Sequence, residues 1–175
     1  MSVDDDAVLV RLLHRAVADS LTWLGDYPED QVDPDAVASI RRSVDWVIGG
    51  LPAGQRDSLA ADDPTPAALT VITGLFADLL WWLDTCADDE VDPHVAVKLQ
   101  ESCAADVDEL TDSQRRRLLE TLDALAAVEH DDGRRYELRF LPYAIGLVDD
   151  EPAMERPAVR EWARPEARAG GSAAE

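Results

Sequence analysis

Two runs of carboxylates are the residues best placed to do chemistry. Asp26, Asp30, Asp33 and Asp35 form one run; Asp84, Asp88, Asp89, Glu90 and Asp92, with His94, form the other. Grouped carboxylates suit a hard cation such as Ca²⁺ or Mg²⁺. The spacing is not that of an EF-hand, since the fixed glycine and the terminal bidentate glutamate are missing. Asp33 and Asp92 each precede a proline, which makes them helix N-caps: the carboxylate accepts a bond from a first-turn N–H, and proline follows where no N–H is needed. The loops therefore read as solvated capping loops with no metal assigned. Asp88, Asp89, Asp92 and His94, with the neighbouring Trp81 and Trp82, are the candidate partner or cation surface. If the helix carrying Trp81-Trp82 is buried, one of the two indoles must point away from the main core.

A second set of polar residues recurs in both halves: Asp19 and Asp78, Ser43 and Ser102, Gln55-Arg56 and Gln114-Arg115. Asp19 and Asp78 border apolar stripes, where a carboxylate requires a cationic partner. The repeated arginines supply one, so the spacing predicts Asp19 with Arg56 and Asp78 with Arg115. The rival expectation is a pair of catalytic carboxylates facing each other between the halves. His14, His94 and His130 do not fall at ligand spacing with one another, and no zinc or di-iron motif occurs. Cys86 and Cys103 read as free thiols. No glycine-rich phosphate loop follows a strand, so no cofactor and no catalytic residue is assigned, and the reading leans away from an enzyme.

The charge sets further bounds. Among 175 residues, 37 are acidic and 16 basic, giving −21, and the isoelectric point is near 4.2. Binding to phosphate needs Lys and Arg to displace counterions, so nucleic acid is not an expected partner. An anionic membrane surface is disfavoured for the same reason. Lys98 is the only lysine, and aspartate outnumbers glutamate. That bias points to a codon-biased genome or salt-adapted cytosol ahead of a functional surface. Residues 2–6 carry no basic stretch and no apolar core, so no signal peptide is expected. No apolar run is expected to reach the ~18–20 residues that span a bilayer. The expected location is cytoplasmic.

The elements that would position these residues are all helices. Leu9, Leu12, Leu13, Ala16, Val17, Leu21 and Leu24 lie on one stripe of a helix over about 4–24, with Gly25 expected to end it in a left-handed conformation. A second helix starts at Asp33-Pro34 and stops at Gly49-Gly50, and a short third spans about 52–61. The pattern then restarts. Thr65-Pro66 opens a helix to about Thr85 that is apolar on more than one face and should be central. Gly74 in its middle implies a close neighbour there. Asp92-Pro93 opens the next helix, and Thr111 caps one over about 112–130. A shift of about 59 residues lays the first three helices on the second three, matching Val32-Asp33-Pro34 to Val91-Asp92-Pro93 and Trp23-Leu24 to Trp82-Leu83.

The expected fold is thus all-α: a bundle of two tandem three-helix units, about 4–61 and 65–130, plus a C-terminal helix over about 134–148 that Pro142 should kink or break. Residues 1–148 read as one domain. Residues 149–175 read as a flexible tail in which Trp162 is idle. A non-enzymatic protein-interaction or regulatory module is the leading functional expectation. One alternative is an acidic nucleic-acid mimic or immunity-type inhibitor of a basic protein. The other is an enzyme with an inward-facing carboxylate site. The partner protein is unknown, and monomer and homodimer are equally compatible with the sequence.

Overall fold

The computed structural model describes residues 3–61, 64–158 and 160–171. These residues form eight helices: α1 (Val3–Asp26), α2 (Pro34–Gly49), α3 (Ala53–Leu59), α4 (Pro66–Thr85), α5 (Pro93–Asp108), α6 (Asp112–Val128), α7 (Asp132–Ala144) and α8 (Pro165–Gly171). The fold is all-helical, as the periodicity predicts. Helix starts follow the capping chemistry closely. Asp33 and Asp92 accept from the backbone N–H groups of Asp35 (2.9 Å) and His94 (2.8 Å). Thr65 and Thr111 cap α4 and α6, and Gln114 completes a capping box by accepting from the Thr111 N–H.

Helix α4 is the hub: it packs against α1, α2, α3, α5, α6 and α7. Most of its residues are buried, including Leu69, Phe76 and Leu79, which have no solvent exposure. By length and composition α4 is also long and apolar enough to cross a membrane, contrary to the sequence expectation. Its burial inside the bundle accounts for that composition, because a helix surrounded on all sides must be apolar on all sides.

The two Val-Asp-Pro motifs meet. Val32 and Val91 form an isolated antiparallel bridge: the Asp33 N–H donates to the Glu90 carbonyl (2.8 Å) and the Asp92 N–H to the Gln31 carbonyl (2.7 Å). Each motif leaves an equivalent turn. Gln31 and Val32 donate to the Pro28 carbonyl, and Glu90 and Val91 to the Ala87 carbonyl, at 2.9 and 3.1 Å in both cases.

Three local expectations are corrected. Gly25 does not end α1, which continues to Asp26. Arg41 approaches so closely there that a β-carbon on Gly25 would lie 2.6 Å from its Nη2, while Arg41 donates to the Leu21 carbonyl (2.5 Å). Among the described residues the left-handed glycine is Gly146 (φ 72°), just beyond α7. There Leu147 N–H bonds to the Pro142 carbonyl (2.8 Å) and Gly146 N–H to the Tyr143 carbonyl (3.1 Å). That pairing is a Schellman closure, so α7 ends at Ala144 with Pro142 in its last turn and no mid-helix break. Lastly, residues 149–175, expected as a flexible tail, contain a strap that lies back on the bundle. Trp162 packs against the core, Pro165 is buried and α8 lies on α2.

Candidate functional site

The bridge between residues 32 and 91 places the two acidic loops side by side at one end of the bundle. Asp26, Glu29, Asp30 and Asp35, in and flanking the first loop, and Asp84, Asp88 and Asp89, in and flanking the second, are exposed. Asp33 and Asp92 are half-buried and committed to their caps. His94 is exposed, with its backbone N–H on Asp92. A cleft of about 900 Å³ runs beside the loops, lined by Asp33, Asp35, Asp89 and Glu90, by Arg42 of α2, and by Trp162 and Arg164 of the strap. Among the described residues, no three His, Cys, Asp or Glu side chains are placed to share a metal ion. The chemistry on offer at this end is dense negative charge in water.

Cys86 lines the same cleft and is a poor nucleophile. Burial, followed by the negative field of Glu90, Asp88 and Asp84, pushes its thiol up to about 11. Cys103 is buried against the Ser20 hydroxyl (3.6 Å), and desolvation likewise raises its thiol. Both are free thiols.

The predicted Asp–Arg pairs do not form. Asp19 is exposed on α1. Arg56 donates instead to the Leu51 carbonyl (3.3 Å), and Arg115 to the Leu110 carbonyl (3.2 Å) and to Asp108. The repeated arginine thus does the same work in both halves, closing the turn that precedes its own helix. Asp78 is buried (4% exposed) and gripped by two other arginines. Arg168 of α8 chelates it through two bonds of 2.9 Å, and Arg134 of α7 donates to it from Nε at 3.0 Å. Arg134 also reaches Glu129 (2.6 Å). Burial pushes the Glu129 carboxyl up, but the Asp131 N–H and the Arg134 guanidinium outweigh that and hold it below its usual range. Gly74 leaves the space for this cluster, since a β-carbon there would sit 3.0 Å from Arg134 Nη2.

Trp81 and Trp82 are not a surface: both are buried, at 3% and 4% exposed. Arg168 lies over the Trp81 ring and Gly133 abuts its edge. The exposed indoles are Trp23 and Trp46. Sequence reasoning missed Arg134, Arg160 and Arg168, because their partners are remote in the chain. It also missed Glu137, which is buried in α7 and chelated by Arg160 at 2.7 and 2.8 Å. Arg160 reaches Asp84 as well (2.7 Å) and lies over the rings of Phe140 and Tyr136. The available signal was the regular four-residue spacing of Arg156, Arg160, Arg164 and Arg168 in a chain poor in basic residues.

Compared with protein-family models, with curated proteins and with solved structures, the chain matches none.

Proposed function

We propose that the chain is a non-enzymatic protein-interaction module whose acidic end receives a basic protein partner. The observation that carries this reading is the bridge at Val32 and Val91, which pools two acidic loops, distant in sequence, on one surface. Charge concentrated in this way steers a basic partner and discriminates against acidic ones. The enzyme alternative requires a buried carboxylate free to move a proton. Asp78 instead carries two arginines, and Asp19 lies in water. The pooled charge also favours a second reading, an inhibitor that mimics nucleic acid to occupy a basic site. Its requirement is carboxylates in rows at phosphate-like separations.

We further propose that α1–α3 and α4–α6 are two copies of one unit arranged about a pseudo-twofold axis. Support comes from the reciprocal bonds at the bridge, the matched turns at Pro28 and Ala87, and the matched Arg56–Leu51 and Arg115–Leu110 contacts. The cytoplasm is the compartment this reading implies.

The test is capture on the immobilised full chain, with bound proteins identified by mass spectrometry, against a variant carrying Asp30→Asn, Asp88→Asn and Asp89→Asn. The expected result is a basic protein retained at low salt, released as salt rises, and lost with the variant. Retention of no protein at any salt concentration sinks the interaction reading. A captured DNA-binding protein that double-stranded DNA displaces selects the mimic.

A further inference from the structure

The strap shows what chemistry the bundle recognises. The Arg160 guanidinium sits in a cradle built by α4 and α7: Glu137 takes it fork to fork, Asp84 closes the third side, and Phe140 and Tyr136 present their rings at 5.2 and 5.8 Å. Two carboxylates and an aromatic wall are what a planar, five-donor cation requires; a lysine ammonium satisfies neither the fork nor the stacking. Beside the cradle lies a cavity of about 260 Å³ with an apolar floor that includes Ala77, Leu80 and Leu141. The exposed Glu101 also lines it. Asp84 joins the cradle to the acidic end, since it immediately precedes the second loop.

The strap that fills the cradle is held by side chains. Between residues 149 and 164, no described backbone group hydrogen-bonds to the bundle; the backbone bonds of this stretch are local, from the Met154 N–H to the Pro152 carbonyl and from the Ala167 and Arg168 N–H groups of α8 to the Arg164 carbonyl. Arg160 and Trp162 attach it, and further on α8 lies on α2 and is held by Arg168 on Asp78 and by the Ser43 hydroxyl donating to Glu166 (3.4 Å). A segment with few buried apolar contacts and no backbone ladder opens at far lower cost than a helix of the core.

We propose that this cradle is a binding site for an arginine side chain of a basic partner segment, and that Arg160 occupies it in cis as a displaceable competitor. The proposal rests on the interaction reading above and assigns it a second contact point, next to the acidic loops. Opening the strap exposes the cradle next to the apolar floor and the already exposed Glu101, so a partner gains an arginine anchor, an apolar contact and a further acidic contact. Because the competitor is tethered, it faces the cradle at an effective concentration in the millimolar range, and apparent partner affinity falls by the fraction of time the strap is open.

The test uses the full-length chain and a fluorescein-labelled peptide copying residues 152–168, read by fluorescence anisotropy. Wild type should bind weakly, and Arg160→Ala should bind about tenfold or more tightly, since the cis competitor is gone. Glu137→Gln added to Arg160→Ala should abolish the gain, and a peptide with lysine at the position of Arg160 should bind Arg160→Ala poorly. Should Arg160→Ala fail to fold by circular dichroism, Arg160→Lys, which keeps the charge without the fork, carries the same comparison. Equal binding by wild type and the variant, or equal binding of the arginine and lysine peptides, overturns the proposal. A concentration-dependent dimer that the peptide dissociates assigns the cradle to the strap of a second copy and also overturns it. The loop variant Asp30→Asn, Asp88→Asn, Asp89→Asn separates the two readings. If it loses a captured partner while Arg160→Ala and Glu137→Gln leave capture unchanged, the interaction reading stands and the cradle proposal fails.

Discussion

Replacing Asp78 with alanine tests the most buried carboxylate among the described residues. The carboxylate is 4% exposed and accepts three bonds of 2.9–3.0 Å, two from Arg168 and one from Arg134. Removing it strands two guanidinium groups, although Arg134 keeps Glu129 (2.6 Å) and Arg168 keeps the face of Trp81. Breaking a buried pair by deleting one partner costs about 3–5 kcal/mol, because the remaining charge stays desolvated. The retained contacts of both arginines place the expectation near the lower figure. Against a total stability of about 5–15 kcal/mol for a domain, that is a large share. With a urea m-value of about 2 kcal/mol per molar, the midpoint should fall by about 1.5 M.

Urea denaturation followed by tryptophan fluorescence measures this directly. Arg168→Ala should cost less, since Asp78 then still has Arg134. The double variant Asp78→Ala, Arg168→Ala should lose less than the two single losses combined, with a coupling of about 0.5–3 kcal/mol. A loss below about 1 kcal/mol for Asp78→Ala, or strict additivity in the cycle, refutes the claim that this carboxylate anchors α7 and the strap to α4.

Other expectations follow from the same cluster and its surroundings. Gly74→Ala would normally stabilise a helix by about 1 kcal/mol, yet here the new β-carbon meets Arg134 Nη2 at 3.0 Å. It should therefore bring no gain in wild type and a gain of about 1 kcal/mol in an Arg134→Ala background by thermal denaturation. The folded-state carboxyl of Glu129 is held below its usual range, so its contribution is fully present above the unfolded value of about 4.3 and lost as pH falls through the folded value. Below about pH 4.3 wild type should then lose stability more steeply than Glu129→Gln in acid titrations of the urea midpoint. The Cys86 thiol is pushed up to about 11, so in a Cys103→Ala background its rate of reaction with a disulfide reagent should keep climbing between pH 9 and about 11. A plateau near pH 9 contradicts the assigned burial and acidic field.

The sequence carried the helices because capping and periodicity are local. Asp33-Pro34, Thr65-Pro66, Asp92-Pro93 and Thr111 mark their starts without reference to anything distant, and the structure begins a helix at each. The apolar girth of residues 66–85 likewise announced a central helix. Side-chain partners were not legible. Asp78 is paired with residues 56 and 90 positions away, and nothing local distinguishes Arg134 or Arg168 from Arg115, the partner that the repeat suggested. The strap was misread for a related reason. Low hydrophobicity argues against self-sufficient order, but arginines inserted between carboxylates attach a segment without an apolar stripe.

The difference between equivalent positions is where the two halves become informative about function. On the duplication reading, Trp23 and Trp82 occupy the same place, as do Asp19 and Asp78. Trp23 is 44% exposed and Trp82 is 4% exposed, while Asp19 is in water and Asp78 is sealed by two arginines. The cause lies outside both units. Residues 131–171, which have no counterpart in the first half, supply Arg134 from α7 and Arg168 from the strap, and these cover only the α4 side. On that reading two equal copies would present two equal faces; the C-terminal addition, although α8 also lies on α2, seals Asp78 and leaves Asp19 in water. Among the described residues the second acidic loop is flanked by a cradle, where Asp84 answers Arg160; on the duplication reading the equivalent of Asp84 is Gly25, which carries no charge. The asymmetry thus concentrates at one corner an acidic loop, an arginine-shaped cradle and the arginine that fills it. Simple adaptation to salt spreads carboxylates over every face and requires no such arrangement, so this corner is the place to test the role proposed for the acidity.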